Sequence, residues 1–340
     1  MGLWADQRGS HLATGCTTVR IVGVLPVLAG AGPAPTGGAS QAAIEHHYDV
    51  GRDFYKLWLG TRMVYSCALW PDRLDDDLDG AQVTKLAWHA AAANVDGASR
   101  VLDVGCGWGA MMQYLIAERQ VGHVTGLTLS SDQVRSVPST GRCEVRLEDW
   151  RDHQPSQPYD AIISIGALEH FSRPELNAQE RRSIYRGFFA QCARWLGEGG
   201  RLSLQTIAWE DNDPATTPIS PFFSKEIFPE STLPQLSDIV EASEKRFRLV
   251  AFRSDADHYS HTLHLWQRRL EDNKARACEL VGRETWRRYL RYLRVSRAMF
   301  DRRVCTLYRM SFERRPASSL ARQDAAGTVG AEKVLSQPVG

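Results

Sequence analysis

The sequence predicts an α/β fold, a Rossmann-like doubly wound sheet with helices on both faces and an antiparallel edge strand. Three observations predict it. Strand and helix signals alternate through the middle of the chain, as a layered sheet requires. The run Val101-Leu102-Asp103-Val104-Gly105-Cys106-Gly107-Trp108-Gly109 carries an apolar strand into a glycine turn, and the turn opens onto the helical run from Ala110 to Arg119. The last strand signal, at 304–312, lies far from that turn, which suits an added antiparallel strand.

The elements follow in order. Residues 1–40 are rich in Gly, Ala and Pro and end in Ala31-Gly32-Pro33-Ala34-Pro35-Thr36-Gly37-Gly38, so they are expected to form a flexible extension. Inside it, Arg20 and the apolar stretch Ile21 to Ala29 outline a secretory signal, but Asp6, Arg8 and Pro26 weaken that outline, and an accessory extension is the preferred reading. One domain is expected over 41–315, with helical elements within 41–95 and an insertion over 208–300 that covers the active site. Strand signals fall at 101–104, 123–127, 143–147, 160–165, 201–207, 246–252 and 304–312. Helical periodicity fits 81–93, 110–119, 178–195, 231–244, 262–280 and 283–300. Residues 316–340 read as a disordered tail.

Composition narrows the function classes. At 340 residues with 43% hydrophobic and 24% charged residues, the chain is that of an ordinary globular protein. A net charge of +1 argues against a dedicated nucleic-acid binder. Seven scattered cysteines without a C-x-x-C pair suggest neither a disulfide framework nor a metal site, and point to a reducing cytoplasm. No apolar run approaches the ~18 residues needed to span a bilayer. Asp72, Asp75, Asp76, Asp77 and Asp79 read as a solvated stretch that caps a helix. The helix at 283–300 should turn Trp286, Leu290, Leu293 and Phe300 to the core. Its outer arginines (Arg283, Arg287, Arg291 and Arg294 among them) then form either a solvated face or a contact surface for a membrane or an acidic carrier protein.

Glycines at 105 and 107 let the backbone approach a bulky ligand. The spacing differs from the dinucleotide fingerprint, whose third glycine comes later. G-x-G-x-G preceded by Asp103 resembles motif I of the S-adenosylmethionine-dependent methyltransferases. Further segments extend the likeness: His47-Tyr48-Asp49, Phe54-Tyr55, Tyr65-Ser66-Cys67-Ala68, Gly126-Leu127-Thr128-Leu129-Ser130 with Gln133, Gly166-Ala167-Leu168-Glu169-His170-Phe171, Glu226-Ile227-Phe228-Pro229 and His258-Tyr259. Together they resemble the cyclopropane-fatty-acid and mycolic-acid cyclopropane synthases, over roughly residues 44–315.

The resemblance implies S-adenosyl-L-methionine as cofactor, held by Tyr65, Ser66, Asp103, Gly105, Gly107, Thr128, Gln133 and Trp150. The end of the second strand, Gly126-Leu127-Thr128, carries no carboxylate, so Thr128 and Gln133 are expected to make the contacts that an acid makes in most such enzymes. It further implies methyl transfer to a double-bond carbon, with loss of a proton closing a cyclopropane. Cys67, Glu169, Gln205 and Tyr259, with His170 beside them, form the expected polar patch. A carboxylate there would stabilise the positive charge that develops on carbon. His170 itself reads more simply as a packed or hydrogen-bonded histidine. The family's base is thought to be bicarbonate. Here Gln205 stands where the family carries histidine, and an amide cannot become cationic or move a proton, which puts bicarbonate in doubt.

The expected acceptor is a small-molecule or acyl substrate with a double bond, in specialised metabolism rather than housekeeping lipid modification. Two other reactions fit the same pocket: ring closure by displacement on an S-adenosylated intermediate made by a partner enzyme, and N- or O-methylation of a small molecule.

Overall fold

The structure, a computed structural model, describes residues 37–40, 50–210 and 230–316. The expected extension (but for 37–40) and tail, the His47-Tyr48-Asp49 segment and Glu226-Ile227-Phe228-Pro229 lie outside these residues. The described chain forms seven strands: β1 Arg100–Val104, β2 His123–Thr128, β3 Cys143–Leu147, β4 Tyr159–Ile165, β5 Leu196–Trp209, β6 Phe247–Ser254 and β7 Cys305–Arg314. They lie in one sheet of order β3-β2-β1-β4-β5-β7-β6. The first five pair in parallel, while β7 runs antiparallel to both β5 and β6. The last strand is thus antiparallel, as expected, and stands one place in from the edge, with β6 outermost.

The helices are α1 Arg52–Leu59, α2 Leu78–Ala92, α3 Ala110–Glu118, α4 Ser131–Ser136, α5 Ala178–Trp195, α6 Leu236–Ser243, α7 Ala256–Asp272 and α8 Lys274–Asp301. α5 starts at a capping box, in which Asn177 accepts from the backbone of Gln179 and Glu180 while Glu180 accepts from that of Asn177. The expected helix over 231–244 begins only at Leu236, because Pro234 disfavours helical geometry just before it. The expected helix over 262–280 is instead α7 and the first turns of α8. Asn273 divides them, its side-chain amide donating to the carbonyls of Leu57 and Arg269. Gly282, at φ 79° and ψ 158°, makes a second break inside α8.

Trp286, Leu290, Leu293 and Phe300 of α8 are buried, as their spacing predicts. Outside, Arg294 pairs with Glu271 at 2.7 Å and Arg303 with Asp257 at 2.8 Å. Among the described residues no helix is long and apolar enough to cross a membrane.

Strand order reverses between β1 and β4, where adjacent connections leave in opposite directions and open a crevice at the strand ends. The turn after β1 lies in that crevice. Gly105 and Gly107 have φ of 79° and 54°, in the left-handed region. The amides of Gly105 and Cys106 both donate to the Leu127 carbonyl of β2. A Cβ on Gly105 would lie 2.6 Å from the Ala167 Cβ in the turn after β4, whereas one on Gly107 would meet nothing within 4 Å. Two different costs follow. Gly107→Ala should cost only the left-handed backbone penalty, ~1 kcal/mol. Gly105→Ala should cost that penalty plus the clash, together ~2–4 kcal/mol. Urea denaturation midpoints check the order; equal losses would mean that the two turns are not in contact.

Candidate active site

Two cavities open at the strand ends. The first is bounded by the turn after β1, the ends of β2 and β3, and the loop before α2. Its walls include Tyr65, Ser66, Asp103, Gly105, Gly107, Thr128, Gln133 and Trp150. All eight residues expected to hold the cofactor therefore line one cavity. Thr128 donates its hydroxyl hydrogen to Gln133 Oε1 at 2.6 Å, and the Ser130 amide returns a hydrogen bond to Thr128 Oγ1 at 3.1 Å. This pair, at the end of β2, leaves the Gln133 amide N–H₂ as the donor at that wall. The Trp150 ring packs on Phe171 and Phe188 at centroid distances of 5.2 and 5.4 Å, so its plane is fixed.

The first cavity holds polar residues that pattern reading did not single out as ligands. Glu148, Asp149 and Arg151 line it at the end of β3, with Arg151 paired to Asp149 at 2.6 Å. Lys85 lines it from α2. The signal for Lys85 was present: Gln82, Lys85 and His89 share the helical stripe of Leu78, Ala81 and Leu86, and all of them are buried. Polar side chains on a core-facing stripe need partners.

The second cavity lies between the ends of β4 and β5 and the inner faces of α7 and α8. Its walls are largely apolar, with Ile207, Trp209, Leu233, Leu263, Met299 and Phe300 among them. Its polar lining includes Glu169, Gln205, Tyr259 and His170, together with Ser231, Thr232, Tyr292 and Ser296. The two cavities share Tyr65, Ser66, Gly166 and His170 as walls, so a ligand in one meets a ligand in the other across these residues.

Glu169 sits in a short 3₁₀ turn, Leu168–His170, after β4. The Ile207 amide donates to its Oε1 at 2.6 Å, while Oε2 is buried with no hydrogen-bond partner among the described residues. Burial pushes its carboxyl up to about 7, with the Ile207 amide opposing the shift. His170 Nδ1 lies 2.8 Å from Ser231 Oγ, and burial pushes its ring down to about 4, so it is neutral at physiological pH. Tyr259 packs against Phe300 at a ring distance of 4.6 Å.

Gln205 is held from behind. Its Oε1 accepts from Arg309 Nε at 2.9 Å and contacts His89 Nε2 at 3.2 Å. A guanidinium can only donate, so this contact assigns the amide flip: oxygen toward Arg309, N–H₂ on the other side. His89 then donates from Nε2 and accepts at Nδ1 from Ser203 Oγ at 2.8 Å. Burial, with the charges of Lys85 and Arg309, holds the His89 ring well below its usual range. Arg309 is 0% exposed and also donates to Asp255 and to the carbonyls of Cys67 and Ala68. Burial alone would raise the Asp255 carboxyl, but Arg253 and Arg309 hold it below the usual carboxylate range.

This arrangement corrects one expectation. Cys67 lines neither cavity. Its thiol donates to the Ala68 carbonyl at 3.1 Å, its own carbonyl is taken by Arg309, and burial pushes the thiol up to about 11. The thiol therefore has no place in the polar patch.

Residues 38–310 match the family model for mycolic acid cyclopropane synthetase. Cyclopropane mycolic acid synthase 2 of Mycobacterium bovis is 35% identical over 270 residues, covering 74% of this chain and 87% of the relative. The structure of the cyclopropane synthase MmaA2 from Mycobacterium tuberculosis superposes with a TM-score of 0.72 at 30% identity, covering 81% of this chain and 99% of that one. The mycolic acid cyclopropane synthase CmaA1, complexed with SAH and CTAB, gives a TM-score of 0.71 at 31% identity with the same two coverages. The chain belongs to the mycolic acid cyclopropane synthetase family and is an S-adenosylmethionine-dependent methyltransferase.

Proposed function

We propose that the enzyme transfers the methyl group of S-adenosylmethionine to a carbon of a carbon–carbon double bond in an apolar acceptor, and closes a cyclopropane there. The observation that carries this reading is the second cavity: apolar walls, and one buried carboxyl with a bare oxygen close to the junction with the first cavity. The cofactor supplies an electrophilic methyl on a sulfonium and leaves as S-adenosylhomocysteine.

The residues present fit that cofactor. The open side of the glycine turn, where a Cβ on Gly107 would meet nothing, accepts a bulky ligand against backbone. Thr128 and Gln133 supply hydrogen bonds for ribose hydroxyls, and Trp150 supplies a flat face for the base. Tyr65 and Ser66 close the wall next to the acceptor.

Glu169 acts on the acceptor. As carboxylate it stabilises the positive charge that the acceptor carbon gains, in a site where water does not compete. When the ring closes, the C–H electron pair of the transferred methyl forms the new C–C bond, and its proton needs an acceptor. Glu169 takes it, because a carboxyl raised to about 7 is a competent base near neutral pH. Gln205 only donates here, so it can hold a polar group of the acceptor or an anion in place but carries no proton. Tyr259 orients its phenol on the same wall. The neutral ring of His170 closes the junction by packing and through Ser231. The departure at Gln205 is also the reason to place the acceptor in specialised metabolism and not among membrane acyl chains.

Two outcomes test this reading. With a trideuteromethyl cofactor, mass spectrometry of the product should show two retained deuteriums for a ring; three would establish a simple methyl branch and remove ring closure. Glu169→Gln should lower kcat about tenfold or more, equivalent to at least ~1.4 kcal/mol of lost charge stabilisation. The active form is the deprotonated one, so the wild-type rate should fall as pH drops through about 7 and level off above it. The variant should lose that limb. Wild-type-like kcat with an unchanged pH profile would take Glu169 out of the mechanism.

A further inference from the structure

Gln205 is 1% exposed and lines the second cavity, yet only half of its amide is used. Its oxygen meets Arg309 Nε at 2.9 Å and His89 Nε2 at 3.2 Å, while its N–H₂ makes no hydrogen bond among the described residues. The amide cannot turn to relieve this, since its N–H₂ would then face the donors of a guanidinium. With the oxygen held toward α2 and β7, the N–H₂ is left for the cavity. A buried donor without a partner is costly unless a ligand supplies an acceptor.

The charges around the cavity say what kind of acceptor that is. Its described walls include no lysine or arginine, and Arg309 stands behind them with its charge set against Asp255. Burial pushes the His170 ring down to about 4, so it adds no charge near neutral pH. Glu169 is the one carboxyl among those walls. An anion beside it would meet a like charge with no cation at the wall to offset it. A neutral oxygen meets no such penalty.

The strand fixes where that oxygen lies. Gln205 and Ile207 are alternate residues of β5, so they point to one face with Cα atoms about 7 Å apart. The Ile207 amide holds Glu169 at 2.6 Å. A group bound at Gln205 is therefore only a few bonds from carbons that face Glu169.

We propose that Gln205, held in one orientation by Arg309, selects acceptors that carry a neutral ether or hydroxyl oxygen a few bonds from the double bond. This rests on the second cavity being the acceptor's. The N–H₂ then serves a polar group of the acceptor and not a free anion. Arg309 is a positioning residue: it touches no acceptor atom, but it decides which end of the Gln205 amide the acceptor meets. A carbonyl conjugated with the double bond fits less well, because it draws electrons from the carbons that take the methyl.

Competition between two acceptors of equal length tests this on the full chain with S-adenosylmethionine. One is a long-chain cis-alkene. The other carries a methoxy group on the carbon next to the double bond, an oxygen that only accepts. The unsubstituted protein should favour the ether about tenfold or more in kcat/KM, the scale of one buried hydrogen bond. Gln205→Glu still offers Arg309 an oxygen but has no N–H₂, so its preference should fall below about threefold. Arg309→Lys, which can only donate, should keep the preference, whereas Arg309→Gln, which lets the Gln205 amide turn, should lose it. Binding of S-adenosylhomocysteine should stay within about threefold in all three variants.

The comparison in the unsubstituted protein needs no variant to fold. Equal rates for the two acceptors would mean that water serves the amide, and a rate that falls when dissolved bicarbonate is removed would give the position to an anion. Full preference in Gln205→Glu would place the reading of the oxygen elsewhere. Each of these results overturns the proposal. Preference kept in Arg309→Gln would remove the part given to Arg309, and transfer to neither acceptor would instead overturn methylation of an alkene carbon.

Discussion

The close approach of Gly105 to Ala167 is the constraint on which the site depends. These residues begin the turns after β1 and β4, the two strands on either side of the reversal in strand order. Parallel strands ending side by side leave a crevice there, and its depth is set by how closely the two turns can sit. With no Cβ on Gly105, they touch. The first turn then faces one cavity and the second, through Gly166 and Glu169, faces the other. A donor and an acceptor can be brought together because two backbone turns are in contact, and the polar groups are arranged around that point.

Behind the second cavity, a buried cation, Arg309, organises the polar groups. Arg309 binds Asp255, Gln205 and two carbonyls, and so fixes four polar groups with one side chain. Such a pair is weak as a source of stability, since both charges leave water. Its value lies in orientation: Gln205 has only one direction in which to present its N–H₂. His89, held neutral between Ser203 and Gln205, completes the row. On the proposed reading this wall donates without moving protons, and proton transfer falls to Glu169, whose Oε2 has no hydrogen-bond partner among the described residues.

Much of the sheet was legible in the sequence because most strands are apolar or alternating runs between turn residues, and all seven overlap the expected segments, although β5 starts at Leu196, five residues before its expected start. That eight residues, the turn's Gly105 and Gly107 among them, line one cavity was legible through spacing and family likeness together. The cover was less so. Asn273 ends α7 through side-chain bonds to Leu57 and Arg269, a tertiary feature without a glycine or proline to announce it. Asp255 precedes α7 as an N-cap residue, yet its side chain caps nothing, because Arg253 and Arg309 take it. Arg309 itself sits in a strand buried almost throughout, where only its partners explain a charge. The Cys67 thiol, which donates to the Ala68 carbonyl beside the carbonyls held by Arg309, lines neither cavity, and no local pattern at Tyr65-Ser66-Cys67-Ala68 could have shown it.

The central claim is one of placement: the cofactor's sulfur lies at the junction of the two cavities and faces the acceptor side. A crystal structure with S-adenosylhomocysteine tests it most directly. The account predicts the sulfur beside Tyr65, Ser66 and Gly166, on the open path to Glu169. A ligand bound outside the turn after β1, or one whose sulfur points away from that opening, would contradict it.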